Sequence, residues 1–344
     1  MKNYKLTLTR IGCLLLFATF ATKAQQVADP NFDAGITRPA YTKNNPKVLF
    51  DEAHNNFHTT TGRYKPFADL ITNDGFKITV NKEKFQARRL KDFDILIIAN
   101  ALGAGRANDV AADKPAFSDE ECDAVRDWVR AGGSLLLVAD HAPFGAAAEN
   151  LAGRFGVEMS KGYTSDTVNF DQPSKNQSLL VFTRENRLLT DHAITRGRNA
   201  DERINRVLTF TGQSLTGPNG STSFLQLSET ASDVAAPTQN DIQAAIERAK
   251  AGGGSTERSP NGTPLPPGAR AIRVEPGKKV SAAGRSQGIA IKFGKGRVII
   301  LGEAAMLTAQ MSDADKSPFG MNRTDADNRQ LVLNIMRWLS GLLK

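Results

Sequence analysis

Residues 118–141, SDEECDAVRDWVRAGGSLLLVADH, decide the fold of this chain. Ser118 followed three residues later by Glu121 is a capping box, in which the serine oxygen and the glutamate carboxylate satisfy free backbone N–H groups at a helix start. Cys122, Val125, Trp128 and Val129 then fall on one side of a helix, and Gly132-Gly133 ends it. Residues 134–139 are continuously apolar, the pattern of a strand covered on both faces, and they run into Asp140-His141.

The same unit recurs on either side. Residues 47–50 read as a buried strand ending in the polar loop Asp51-Glu52-Ala53-His54. Phe67, Leu70 and Ile71 share a helix face, and Asn73-Asp74-Gly75 is a helix stop. Residues 76–80 alternate like a strand, and 94–99 form a second continuous apolar run. Residues 146–155 predict another helix. Residues 288–293 and 297–301 predict strands around the turn Gly294-Lys295-Gly296. A last helix over about 325–343 places Leu331, Ile335, Trp338, Leu339 and Leu342 on one face. Strands alternating with amphipathic helices imply right-handed βαβ units, hence an α/β fold with a mainly parallel sheet and helices on both faces. Between 157 and 287 the alternation weakens, with strands expected at 206–211 and 223–227 and a helix at 238–250. Residues 251–276, rich in Gly, Pro, Ser and Thr, read as a mobile surface excursion within a single domain spanning 47–344.

The first 24 residues read differently. Lys2, Lys5 and Arg10 precede the apolar run 11–20, and Ala21-Thr22-Lys23-Ala24 supplies small residues for cleavage, the order of a secretory signal peptide. Ten apolar residues are about half the roughly 20 that cross a bilayer as a helix. The reading is therefore an exported protein, periplasmic or extracellular, with no transmembrane segment after cleavage and an irregular stretch over 25–46. Loss of this leader removes four lysines and arginines from a formal charge of +8, so the raw basicity does not require a polyanion. The remaining basic residues are dispersed with few aromatics beside them, which disfavours nucleic acid as a partner. Of the two cysteines, Cys13 leaves with the leader and Cys122 sits among helix-face residues as a core thiol.

Ligands of open parallel sheets bind beyond the carboxyl ends of the strands. Those ends carry Glu52, His54 and His58 after the first strand, Asn100 after 94–99, Asp140 and His141 after 134–139, and Glu303 after 297–302. Three of the four histidines lie there. Imidazoles with carboxylates suit a divalent metal such as zinc, with His54, His58 and His141 as ligands. Without a metal, Glu52, Asp140, His141 and Glu303 suit general acid/base work, with Glu303 as the candidate base. The bland alternative is that the acids cap turns and the histidines fill polar gaps. His192, in Asp191-His192-Ala193, reads as a capping or loop-locking residue. No phosphate-binding loop or dinucleotide fingerprint follows a strand, so no nucleotide cofactor is expected.

Val48 to His54 (VLFDEAH), Trp128 to His141 (WVRAGGSLLLVADH), Asp191 to Gly197 (DHAITRG), Gly294 to Glu303 (GKGRVIILGE), Asn328 and Trp338-Leu339 together resemble class I glutamine amidotransferase-like proteins. The resemblance is to their secreted bacterial branch of unknown function, related to trehalose-utilisation-like and gliding-transporter auxiliary domains. It covers about 46–343 and is diffuse over 157–287. It implies a flavodoxin-like doubly wound sheet, and the relatives include sugar-linked and non-catalytic members. Amidotransferases carry a cysteine nucleophile after the strand equivalent to 134–139; this chain has Asp140-His141 there, so glutaminase activity does not carry over. The leading expectation is metal-assisted or acid/base hydrolysis of a carbohydrate-type substrate. Its rivals are a non-catalytic domain binding a glycan or a protein, and an accessory subunit of an envelope complex.

Overall fold

The computed structural model describes residues 26–237, 239–251, 255–256, 271–272, 277–312 and 317–344. The leader expected at 1–24 and most of the excursion expected at 251–276 lie outside these residues.

The central sheet runs, edge inward, through the strands Lys77–Asn81, Lys47–Asp51, Ile95–Ala99, Ser134–Val138 and Gly296–Leu301, all mutually parallel. It continues antiparallel through Ser286–Phe293, Leu215–Thr216 and Glu158–Met159, with Thr222–Gln226 also pairing Ser286–Phe293. The sheet is therefore mixed rather than mainly parallel. The reversal comes from Gly294-Lys295, a two-residue connection between the paired Phe293 and Gly296, with Gly294 at φ 59°. Only antiparallel neighbours can be joined so tightly.

Side-chain alternation along the parallel strands sends one set to each face. Val48, Phe50, Ile95, Ile97, Leu136 and Val138 pack beneath the helices Lys65–Asn73 and Asn328–Leu339. Leu49, Leu96, Ile98, Leu135 and Leu137 pack beneath Asp119–Ala131 and Phe144–Gly153. Helices thus cover both faces, and the strands read as unbroken apolar runs because neither face meets water. The capping box forms as expected: Ser118 Oγ accepts from Glu121 N, and Glu121 Oε2 accepts from Ser118 N at 3.0 Å. Gly75, at φ 98°, follows the helix Lys65–Asn73, and a Cβ there would stand 2.0 Å from the Tyr41 carbonyl oxygen, so no larger residue fits that stop. The last helix ends at Leu339, which leaves Leu342 38% exposed instead of in the core.

The weakly patterned middle of the chain forms short antiparallel strands. Gly162–Asp166, Ala231–Ala235 and Lys279–Ser281 make one small sheet, and Phe170–Asp171, Asn176–Thr183 and Arg206–Leu208 another. Gln26–Ala28, read as irregular, pairs with Ala309–Ser312. Residues Pro237–Gly277 belong to a separate compact unit that contains the helix Gln239–Lys250 and the paired segments Ser255–Thr256 and Ala271–Ile272. No helix among the described residues is long and apolar enough to cross a membrane.

Candidate functional site

The carboxyl ends of the parallel strands do hold the residues singled out above, in different states of engagement. His54 is buried, with Nδ1 at 2.9 and 3.0 Å from the two oxygens of Asp51 and Nε2 at 3.0 Å from Glu121 Oε1. Burial alone would lower its pKa, but Asp51 and then Glu121 hold it above the ordinary imidazole value. The ring packs against both Phe85 and Phe117, at 4.7 and 4.8 Å. Both nitrogens are thus committed to carboxylates.

Glu52 accepts from Thr60 N at 2.8 Å, Thr60 Oγ1 at 2.7 Å and Lys82 Nζ at 2.7 Å. Burial pushes this carboxyl up, but the bonds from Lys82 and Thr60 outweigh it and hold the value below the usual range. Its role is to close the 52–60 loop. Glu303 is fully buried and caps the 3-10 turn Ala305–Leu307, its oxygens accepting from Ala305 N at 2.6 Å and Met306 N at 2.8 Å. Both of its oxygens are thereby engaged by backbone donors.

His58 is buried against Tyr64, ring to ring at 4.6 Å, and burial, with Arg63 adding, pushes its pKa down to about 3. Its Nδ1 has no hydrogen-bond partner. Among the described residues no group of three or more His, Cys, Asp or Glu side chains is arranged to hold a metal ion.

His141 is the accessible histidine of this edge, beside a largely buried Asp140. His141 Nδ1 lies 2.8 Å from the Ala142 carbonyl oxygen, so it carries the proton of the neutral ring and leaves the lone pair on Nε2. That Nε2 lies 4.0 Å from Asp140 Oδ1, on a side chain 31% exposed. The ring stacks on Tyr163 at 4.7 Å. Asp140 Oδ1 accepts from His141 N at 2.7 Å, while Gln213 Nε2 donates to the backbone oxygens of Ala139 and Asp140 at 2.8 and 2.9 Å, pinning the strand end.

Asn100 completes the group. Its Oδ1 accepts from Asp140 N at 3.0 Å, which orients the amide, and its buried Nδ2 has no partner. Asn56 Nδ2, in the adjoining loop, is likewise buried and unpartnered. Asn100 stood in the sequence as the residue after a strand, but its strained left-handed backbone, φ 52°, was not legible there. Phe57, 43% exposed and 5.5 Å from the Phe144 ring, and Tyr163 were not anticipated either.

No protein-family model matches this chain, and no curated protein matches it. Among solved structures, the mmIFT52 N-terminal domain superposes with a TM-score of 0.53 at 12% identity, over 85% of this chain and 97% of that one. The chain shares that domain's fold. A protein described as ThuA-like from Bacteroides uniformis gives a TM-score of 0.38 at 13% identity, over 88% of this chain and 94% of that one. Another ThuA-like protein, from Parabacteroides merdae, gives 0.38 at 9% identity, over 86% and 90%. The first likeness carries a shared fold and no activity, and the other two are weaker.

His192 and Cys122 fall outside this edge. His192 Nδ1 accepts from Ile194 N at 3.3 Å and caps the short helix Ala193–Arg196. Burial pushes the Cys122 thiol up to about 12, which suits a core residue and not a nucleophile.

Proposed function

We propose that Asp140 and His141 form an acid/base site for hydrolysis of an ester-linked, carbohydrate-type substrate, in an exported protein of the class I glutamine amidotransferase-like, flavodoxin-like group. The observation that carries this reading is the His141 ring, with Nδ1 tied to Ala142 and Nε2 open beside Asp140. In this mechanism Nε2 takes a proton from water as the water attacks, and the Asp140 carboxylate stabilises the imidazolium that results. The imidazolium then returns the proton to the leaving oxygen. Asn100 Nδ2 is the donor available to the negative charge that develops on the substrate. The ester is favoured over the glycosidic bond because Glu303, which would supply a second carboxylate, is spent as a cap.

The test is turnover of acetylated sugars and aryl acetates, with p-nitrophenyl glycosides alongside. His141→Ala is expected to lower ester turnover about 100-fold and Asp140→Asn to lower it by a similar factor, with both proteins folded by circular dichroism. Turnover unchanged in both variants would sink the site.

A second reading, binding without catalysis, is favoured by the commitment of Glu52, His54 and Glu303 to structural bonds, since a binding site needs no more than the groups left open. It predicts saccharide-induced melting shifts that disappear in His141→Ala, with no turnover in either protein.

Export is proposed from the order of residues 1–24. Expression of the whole chain in a bacterium is expected to yield a mature protein beginning near Gln25, read by intact mass. A retained Met1 in the exported fraction would overturn it.

A further inference from the structure

A cleft of about 300 Å³ lies away from the Asp140 edge, lined by His192, Arg196, Thr222, Ala290, Lys292 and Trp338 among others. Its place follows from strand register. Lys292 pairs with Arg297, and Arg297 lies beside Ser134 at the amino end of the parallel strands, the end opposite to Asp140 and His141.

The charge of its side chains is one-sided. Arg196 and Lys292 line it, and the Arg297 guanidinium stands 5.1 Å from the Trp338 ring centroid, held by the Trp338 and Leu343 carbonyl oxygens. The nearby acid is Asp191, which pairs with Arg196 at 2.6 Å with both side chains more than half exposed. Such a pair is weak and easily exchanged for another anion.

The donors point the same way. His192 Nδ1 accepts the Ile194 N–H, so a neutral ring carries its proton on Nε2. The ring is held neutral by burial first and then by Arg196 and Lys292, which push its pKa down to about 4. Ala290 and Trp338, both buried, form its apolar floor. The volume is at the small end of the range for ligand pockets.

We propose that this cleft is a second binding site, for a compact organic anion whose phosphate, sulfate or carboxylate group is held by Lys292, Arg196 and the His192 Nε2–H, with its organic part against Trp338 and Ala290. This site is independent of the chemistry proposed for Asp140 and His141.

The test is calorimetric titration of the whole protein with phenyl phosphate, phenyl sulfate, benzoate and inorganic phosphate. At least one aromatic anion is expected to bind saturably with a Kd of about 1 mM or below, more tightly than inorganic phosphate. Affinity is expected to fall about tenfold in Lys292→Glu and in Arg196→Gln, both exposed positions whose variants should melt like the parent without ligand, and to be unchanged in His141→Ala. No saturation by any of the four up to about 10 mM, or equal affinity in parent, Lys292→Glu and Arg196→Gln, would overturn the proposal. Loss of binding in His141→Ala alone would assign the anion to the other edge and overturn it equally.

Discussion

Replacing His54 by alanine is expected to remove about 3–5 kcal/mol of folding stability near pH 6. The ring bridges Asp51, at the end of the strand Lys47–Asp51, to Glu121, in the first turn of the helix Asp119–Ala131. Asp51 also accepts from Asn81 Nδ2 at 3.1 Å, and Glu121 from Phe85 N at 2.9 Å, so one imidazole ties four chain segments together. Its removal leaves two carboxylates facing each other in a dry place.

The pH dependence has a definite sign. The folded value of His54 is raised, so its contribution is complete below the unfolded value of about 6.5 and is lost as pH rises through the folded value. Glu121 works from the other side. Burial raises its carboxyl, but bonds from Ser118 and His54 outweigh that and depress it, so its contribution is lost as pH falls through the folded value. His58 opposes His54: with its folded value near 3, it costs stability as pH falls from about 6.5 toward 3. Urea unfolding of parent and His54→Ala at pH 6 and pH 9 checks the clamp. The difference between the two proteins should shrink at pH 9, and an equal difference at both would mean that His54 folds uncharged.

The second large effect is expected at Arg337. It is 3% exposed and grips Asp74 in bidentate fashion at 2.8 and 2.9 Å, while Nη1 donates to Glu202 at 2.9 Å. Asp74 follows the helix Lys65–Asn73, and Glu202 ends a 3-10 turn, so this guanidinium joins the last helix to two distant segments. Arg337→Met preserves the stem's packing and removes the charge, which leaves the buried Asp74 carboxylate with the Ala40 N–H but no cation. The expected loss is about 3–5 kcal/mol, and Asp74→Asn in the same chain should recover part of it. A loss within about 1 kcal/mol for the single variant would show that the pair contributes little net stability.

These two residues also mark how far the chain can be read without its fold. The apolar runs at 47–50, 94–99, 134–139 and 297–301 determine buried strands by themselves, because residues that all avoid water admit few other arrangements. Ser118 and Glu121 determine a helix start because both partners lie within one turn. Gly294-Lys295-Gly296 was legible as a turn, yet its consequence, an antiparallel half to the sheet, needed the pairing itself.

What each ionisable residue does was decided by contacts that the linear pattern does not display. His54 became a clamp because Glu121, 67 residues on, meets its free nitrogen. Glu303 became a cap because the backbone after it turns back onto its oxygens, and Arg337 lies on the buried side of a helix whose apolar spacing gave no sign of a charge there. The sequence alone placed three histidines at the strand ends. Only the tertiary structure could commit one to two carboxylates, bury another unpaired and leave the third open, because a side chain's protonation and reach depend on neighbours that folding brings together.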